Sequence, residues 1–504
     1  MHRPTAIYSA AQVRALDACE IEQRGVPSFT LMTRAAEGAL RILRARWPQA
    51  RRLAVVCGAG NNGGDGYVLA RLAKAAGLDA LVLATVPPDK LRGDAGRARE
   101  EWLAAGGIAQ SFSADTLGGC DVIVDGLLGI GLTGAPRPGT LEVIRAINAA
   151  GRPVLALDVP SGIDADSGEV HEAAVRAELT VCFVALKAGL FLRGGPEHAG
   201  VVLLEDLGVV PPALPQFVPL MQRISERELA ERLPRRARDS HKGTHGRVLV
   251  VGGGCGMPGA LRLAGESALR TGAGLVTVAG APENLVSIMA ARPELIYLPA
   301  ESGTRLDDAL ADATVVAIGP GLGRDDWAHR LWTQVRQVEG TPVVADADAL
   351  NLLAAAPAKL PAHWILTPHP GEAARLLVSE TAAIQADRLG AVRELHARYG
   401  AVIVLKGAGT LVAGVAGDAV EISICDRGNP GMATAGMGDV LTGVIAGLLA
   451  QLSRGSRASP DVVLHAARLG VLVHALAGDS AAQGGQRGLI ASDLIGELRG
   501  WVNP

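Results

Sequence analysis

Short unbroken apolar runs alternate with amphipathic stretches along most of the chain. The run Leu53-Ala54-Val55-Val56-Cys57 has no polar position, which is how a strand buried on both faces reads, and it predicts a parallel strand. Further strands are predicted at 80–84, 122–125, 154–158, 179–183 and 201–204, with helical stretches between them. Ser9 and Gln12 have capping-box spacing and open a helix to about residue 23; others are expected over 30–46 and 67–76. This alternation predicts a doubly wound, Rossmann-like α/β domain of three layers. The pattern dissolves in Val209-Val210-Pro211-Pro212-Ala213-Leu214-Pro215-Gln216-Phe217-Val218-Pro219, whose proline density suits a connector. Two domains, 1–218 and 219–504, are therefore expected. After a short helix over 226–232 the alternation restarts, with strands at 247–251, 275–278, 315–318, 343–345, 364–366, 402–405 and 410–413 and a helix over 260–271. The similar openings of the two halves diverge afterwards, so they are one local solution used twice and not a repeat.

Composition narrows the functional classes. The 504 residues are 49% hydrophobic and 20% charged, enough for large cores in two or three domains. With a net charge of -3 and no basic run interleaved with aromatics, a nucleic-acid surface is not expected, and small molecules are the expected partners. Six scattered cysteines without a C-x-x-C pair read as reduced core thiols of a cytoplasmic protein. The first twenty residues lack an apolar signal core and no run of 18 apolar residues occurs, so neither secretion nor membrane spanning is expected.

The chemistry gathers at strand ends. In Gly428 to Gly443, GNPGMATAGMGDVLTG, the turn Gly436-Met437-Gly438-Asp439 runs into an apolar helix-permitting stretch, 440–450. Unpaired backbone N–H groups and a helix dipole then stand beside one carboxylate. Phosphoryl transfer to a hydroxyl uses that combination, the N–H groups holding the anion in flight and the Asp accepting the proton. An Asp N-cap is the plain alternative. In the first half, Gly58, Gly60 and Gly63 satisfy G-x-G-x-x-G, yet 81–87 has no acid to hold a ribose, which argues against an ordinary dehydrogenase. Two more strands end in Asp125-Gly126 and Asp158-Val159-Pro160-Ser161-Gly162, and three such ends imply one crevice, although each Asp alone reads equally as a turn or cap.

The strings GAGNNGGDG, DGLLGIGLTG and LDVPSGIDADSG, in that order, resemble the NAD(P)H-hydrate epimerase family from about residue 10 to 207. The resemblance implies that Asn61, Asn62, Gly63, Gly64 and Asp65, with Gly129, Ile130, Gly131, Leu132, Thr133, Gly134 and Ala135, hold the damaged cofactor. It also implies potassium on Asn62, Asp125 and Ser161, where hard oxygen donors fit, and Asp158 as the acid/base at C6 of the hydrated ring, where it also binds the substrate. Lys187 is a lesser candidate, equally readable as a solvated strand-end charge. From about residue 224 onward, ADADALN, LTPHPGE, LKGAGT and GMGD together resemble the ribokinase-like NAD(P)H-hydrate dehydratases. That resemblance implies a ribokinase-like α/β fold, Lys406, Gly407, Ala408, Gly409, Thr410 and Gly438 on the adenine nucleotide, and Gly274, Gly323, His369 and Asp439 on the hydrate. Asp439 would be catalytic and Glu372 would bear on the metal or on phosphate-bound water. His369, between two prolines, also reads as a plain loop residue.

The implied reaction is repair of hydrated NADH and NADPH. The first domain epimerises the C6 hydroxyl, and the second phosphorylates that hydroxyl on the S epimer and eliminates phosphate. ADP is the implied donor, leaving AMP, with magnesium on its phosphates, although the residues themselves do not choose between ADP and ATP. A homo-oligomer is expected. A ribokinase-like kinase for a small alcohol shares the G-x-G-D turn and stays in view, as does a nucleotide sensor without turnover; an epimerase half would serve neither.

Overall fold

The continuous apolar runs become buried parallel strands whose carboxyl ends carry the polar loops. The computed structural model describes residues 5–132, 134–301, 304–453 and 458–504. The chain divides into two compact units, Met1–Met221 and Gln222–Pro504.

The first unit contains β1 (Ala6–Tyr8), β2 (Arg52–Cys57), β3 (Asp79–Ala84), β4 (Ala109–Ser111), β5 (Val122–Gly126), β6 (Val154–Leu157), β7 (Leu179–Phe183), β8 (Leu186–Lys187) and β9 (Val201–Glu205). Seven form one sheet in the order β4-β3-β2-β5-β6-β7-β9, and every pairing in it is parallel. β1 and β8 pair with each other in parallel, outside this sheet. Alternate residues of the central strands enter two different cores, Val55 and Val124 on one face and Ala54 and Ile123 on the other, as three layers require. The strand order reverses between β2 and β5, so the crevice of this doubly wound sheet opens where Gly58 and Asp125 lie. The short strands β1, β4 and β8 carry too few residues to show a period.

One boundary differs from the sequence expectation. The helix expected over 67–76 begins at Asn61 and runs to Ala75, so Asn61 to Asp65 form its first turn and not a loop before it. Glycines, poor helix formers, hid this start, and close packing overrides the propensity. A Cβ on Gly63 would lie 2.2 Å from the Gly58 carbonyl oxygen, and one on Gly58 would lie 1.9 Å from that of Leu127.

The second unit holds β10 (Met221–Arg223), β11 (Arg247–Val251), β12 (Leu275–Gly280), β13 (Ile296–Pro299), β14 (Val315–Ile318), β15 (Val343–Ala345), β16 (Trp364–Leu366), β17 (Val402–Leu405), β18 (Thr410–Ala416) and β19 (Ala419–Cys425). Their order is β13-β12-β11-β14-β15-β16-β17-β18-β19-β10, parallel from β13 to β17. β18 and β19 add an antiparallel hairpin. Here the order reverses between β11 and β14. The turn at Gly436 caps a helix, Met437–Leu452, in the left-handed conformation. Helix Pro460–Ala481 is apolar enough to cross a membrane, yet 72% of its apolar window is buried inside the protein. It packs against the Met437–Leu452 helix and β18, which accounts for its composition.

The Met437–Leu452 helix meets helix Pro258–Thr271 at near-backbone distance: a Cβ on Gly443 would lie 2.0 Å from the Ala264 carbonyl oxygen. Gly443→Ala should therefore destabilise the second unit by roughly 1–3 kcal/mol or more through overpacking. Chemical denaturation checks this; an unchanged midpoint would contradict the close contact.

Candidate active sites

In the first unit the carboxyl ends of β2, β5 and β6 bring most of the sequence candidates together. Asp125 is fully buried; its Oδ2 accepts the Ser161 N–H at 2.8 Å and its Oδ1 accepts the Ser161 hydroxyl at 2.6 Å. Burial pushes its carboxyl up to about 6, with those hydrogen bonds opposing. Ser161 Oγ accepts the Leu128 N–H at 2.8 Å, and Asn62 Nδ2 donates to the Leu128 carbonyl at 2.6 Å and to that of Leu157 at 3.1 Å. Asn62 and Ser161 thus hold Leu128, at the start of the glycine-rich second loop, from either side, with Asp125 bonded to Ser161 and to the Leu127 N–H. Asn62 Oδ1 is buried with no hydrogen-bond partner. A Cβ on Gly129 would lie 3.2 Å from Asn62 Cβ, so the start of that loop rests on the helix Asn61–Ala75. Arg14 donates to the Ile130 carbonyl at 3.1 Å. Gly131, Leu132, Gly134 and Ala135 continue the loop, Gly134 with φ +71°, and Thr133 lies outside the described residues.

Asp158 follows β6 directly with φ +65°, and Val184 follows β7 with the same value. Left-handed backbone is costly for both residue types, most of all for a β-branched valine, and such strain concentrates at working sites. Lys187, open to two readings in the sequence, is no solvated charge: it is buried, donates to Asp158 Oδ1, and donates to the Phe183 carbonyl at 2.6 Å. Burial alone would lower its ammonium, but Asp158 and further anionic neighbours outweigh that and hold it raised. Two more acids share the lysine's field. Burial lifts Asp17 to about 6, and burial followed by the charges of Asp158 and Asp17 lifts Asp65 well above the carboxylate range. Asp17, on the helix Ala10–Glu22, gave no motif signal and was missed.

In the second unit Asp439 is the third residue of the helix Met437–Leu452. Burial, then the charge of Asp346, raise its carboxyl to about 7. Lys406 opposes that rise and Glu372 adds to it. Lys406 Nζ lies 2.6 Å from Asp346 Oδ1 and 3.8 Å from Glu372 Oε2, while Thr442 donates to Asp346 Oδ2 at 2.9 Å. A Cβ on Gly438 would lie 3.3 Å from Lys406 Nζ and 3.6 Å from Asp346 Oδ2, which places the glycine turn directly over this pair. Ala347, the next residue after Asp346, has φ +49°. Glu372 accepts the His369 N–H at 2.8 Å, and His369 Nδ1 in turn accepts from Gly371 at 3.0 Å, a reciprocal cap that fixes both side chains. Burial, then Lys406, hold the His369 imidazole below its usual range. The Gly323 N–H donates to Asp348 Oδ2 at 2.9 Å, and Asn351 links Asp348 (3.2 Å) to Arg375 (2.8 Å). Gly407, Ala408 and Gly409 connect β17 to β18, with Thr410 Oγ1 donating to the Gly407 carbonyl at 2.9 Å.

Gly274 stands apart. It precedes β12, at the amino end of a parallel array whose carboxyl ends lead to Gly323, Asp346, His369 and Lys406. Its N–H pairs with the Gly246 carbonyl at 3.1 Å, and a Cβ there would lie 1.7 Å from the Lys242 carbonyl oxygen, so close backbone approach accounts for the glycine. Asp346 was legible as an acid ending a strand but was not singled out; Thr442 and His474 had no signal. His474 is half-buried against the Met437 carbonyl at 3.0 Å, and desolvation lowers its imidazole to about 4, so it is neutral and pins the start of the Asp439 helix.

Two family models match: one described as NAD(P)H-hydrate dehydratase over residues 248–499, the other as YjeF-related protein N-terminus over 28–189. A bifunctional NAD(P)H-hydrate repair enzyme Nnr of Coxiella burnetii is 46% identical, covering 99% of this chain and 100% of its own length. One of the same name from Escherichia coli K12 is 42% identical over 99% and 95%. Among solved structures, a ribokinase-like superfamily protein of Enterococcus faecalis is 30% identical with a TM-score of 0.50, covering 56% of this chain and 95% of that one.

Two outcomes follow from the electrostatics. Asp439 titrates near 7 when folded against an ordinary 3.8, so between those values the unfolded chain releases its proton first and the fold loses stability as pH rises. Asp439→Asn should raise the second unit's melting temperature at pH 8, a gain on the order of 2–4 kcal/mol, and change nothing at pH 4. In the first unit, Lys187→Met leaves Asp158 buried without its counter-charge and should cost roughly 3–5 kcal/mol in equilibrium unfolding, where a loss below 1 kcal/mol would mean Asp158 does not depend on the lysine.

Proposed function

The chain belongs to the family of bifunctional NAD(P)H-hydrate repair enzymes, and on that footing we propose which residues perform its two reactions. It is an NAD(P)H-hydrate epimerase and an ADP-dependent NAD(P)H-hydrate dehydratase. The dehydratase assignment rests above all on Asp439, a carboxylate held near neutrality in the first turn of a helix, under glycines that leave room for an anion.

In the second unit the hydrate lies with its C6 hydroxyl toward Asp439, near His369 and Gly323, with the adenine nucleotide on Lys406 to Thr410 and Gly438. Gly274, at the other end of the sheet, has a structural role within its own unit. Asp439 accepts the hydroxyl proton as the terminal phosphoryl group of ADP moves to the oxygen, leaving AMP. Hydroxide is a poor leaving group, whereas the phosphate departs, pushed by the ring nitrogen lone pair, and C5 releases a proton to restore the dihydronicotinamide. Among the described residues no group of three or more His, Cys, Asp or Glu is placed to hold a metal, so magnesium fits as the partner of the donor's phosphates, where it neutralises charge. Glu372, beside Lys406, would bear on it through water.

In the first unit Asp158 moves the proton at C6, held in position by Lys187. The hemiaminal carbon loses and regains its hydroxyl with help from the ring nitrogen, so either epimer is reached. Asn61 to Asp65 offer the amino end of their helix to the cofactor's phosphates. Potassium fits the neighbouring oxygens: Asn62 Oδ1 is buried without a partner, a donor free for a cation, and Ser161, bonded to Asp125, meets the same residue, Leu128, that Asn62 holds. The ion would supply a fixed positive charge beside the substrate's phosphates.

Recovery of absorbance at 340 nm from mixed epimers of hydrated NADH, with magnesium and ADP or ATP, tests both assignments. The parent enzyme should restore all the cofactor. Asp439→Asn should restore none, and Asp158→Asn should stop quickly at the reactive epimer's share. No recovery with either nucleotide would refute the dehydratase reading, and a full fast recovery by Asp158→Asn would remove Asp158 from the epimerase. With Asp439 as base, the parent's kcat/KM should rise with pH through about 7.

A further inference from the structure

Arg388 opens the helix Arg388–Tyr399 and is buried, with 5% of its surface exposed. Its guanidinium spreads over the loop between β17 and β18. Nη2 donates to the carbonyls of Leu405 at 3.2 Å, Lys406 at 3.4 Å and Gly409 at 3.2 Å, and Nη1 donates to Lys406 at 3.3 Å and to Gln385 Oε1 at 3.1 Å. Nε is buried without a partner. Neutral oxygens, three backbone carbonyls and the Gln385 amide, carry the whole load. Burial lowers its titration to about 10, and among the described residues no carboxylate pairs with it. An arginine this deep is ordinarily paired with an anion, since its desolvation is otherwise uncompensated. Gly407, which has φ +135°, would place a Cβ 3.0 Å from Arg388 Nη1, so the loop backbone passes directly across the charged fork. Each peptide is planar and trans, so with the Lys406 carbonyl turned in to the guanidinium, the N–H of Gly407 faces the opposite side. Gly407 and Ala408 are exposed there.

The geometry points to Arg388 as the positioning residue of the nucleotide loop: it fixes the carbonyls of Leu405, Lys406 and Gly409 inward, turns the Gly407 N–H outward, and sets a positive charge with no anionic partner among the described residues behind the loop for a nucleoside diphosphate. This rests on the reading of Lys406 to Thr410 as the nucleotide site. The bound phosphates are the missing anion, separated from the guanidinium by one layer of backbone. Lysine could keep the charge but not the planar fork that reaches three carbonyls at once.

The test is ADP binding, with magnesium, to the full chain by calorimetry, alongside dehydratase kinetics. Arg388→Gln should raise the Kd and KM for ADP at least tenfold, while kcat at saturating ADP stays within about threefold. Its log Kd should also rise less steeply with log salt than the parent's. Arg388→Lys should fall between the two. General damage to the unit would instead lower kcat by the inactive fraction and leave KM and the salt slope alone, and that result overturns the proposal. If Arg388→Gln does not fold, Arg388→Lys decides: a Kd raised threefold or more supports the role, and an unchanged Kd overturns it. Ala408→Asp, an exposed change on the loop itself, separates the two readings. If it weakens ADP while Arg388→Gln does not, Arg388 alone is wrong; if ADP affinity ignores it, the loop does not hold the nucleotide and both fall.

Discussion

One ammonium, largely withdrawn from water and facing more carboxylates than it can neutralise, is the constraint on which both sites depend. Lys187 answers Asp158 within the field of Asp17 and Asp65; Lys406 answers Asp346 beside Glu372 and Asp439. Where burial makes each charge expensive, the surplus acids hold protons at pH values where exposed ones would not. A carboxylate that can both take and return a proton near neutrality is what the chemistry needs at C6. Each lysine lies against one acid of its cluster, Asp158 or Asp346, and leaves the others in excess.

The folds put these clusters where they are. Both sheets reverse strand order once, and at each reversal the helices diverge and leave the strand ends open. Glycines let the backbone close in on those ends. Gly58, Gly63 and Gly443 each sit where an added Cβ would run into a carbonyl oxygen.

How much of this the sequence showed depends on whether a residue's role is local. Buried parallel strands are apolar throughout, so β2, β5, β11 and β14 stood out, and the acids that end strands or open helices, Asp125, Asp158 and Asp439, came with glycine-rich neighbours that marked them. The start of the helix at Asn61 did not, because its glycines are chosen for tertiary contact against their own propensity. Lys187, Asp17 and Arg388 look like any solvated charge along the chain. Burial, the property that makes them matter, comes from elements far away in sequence. The left-handed backbone at Asp158 and Val184 was likewise invisible, since neither residue type prefers it.

The glycine seam beneath Asp439 bears on motion. With Gly443 and Gly447 seated against Ala264 and Ala268, the helix carrying the base has no slack in which to slide or roll. Any adjustment of the second unit to its substrates therefore falls to connecting segments such as 428–436, between β19 and this helix. The carboxylate works as an anvil, fixed in the floor, toward which the nucleotide and the damaged ring are brought.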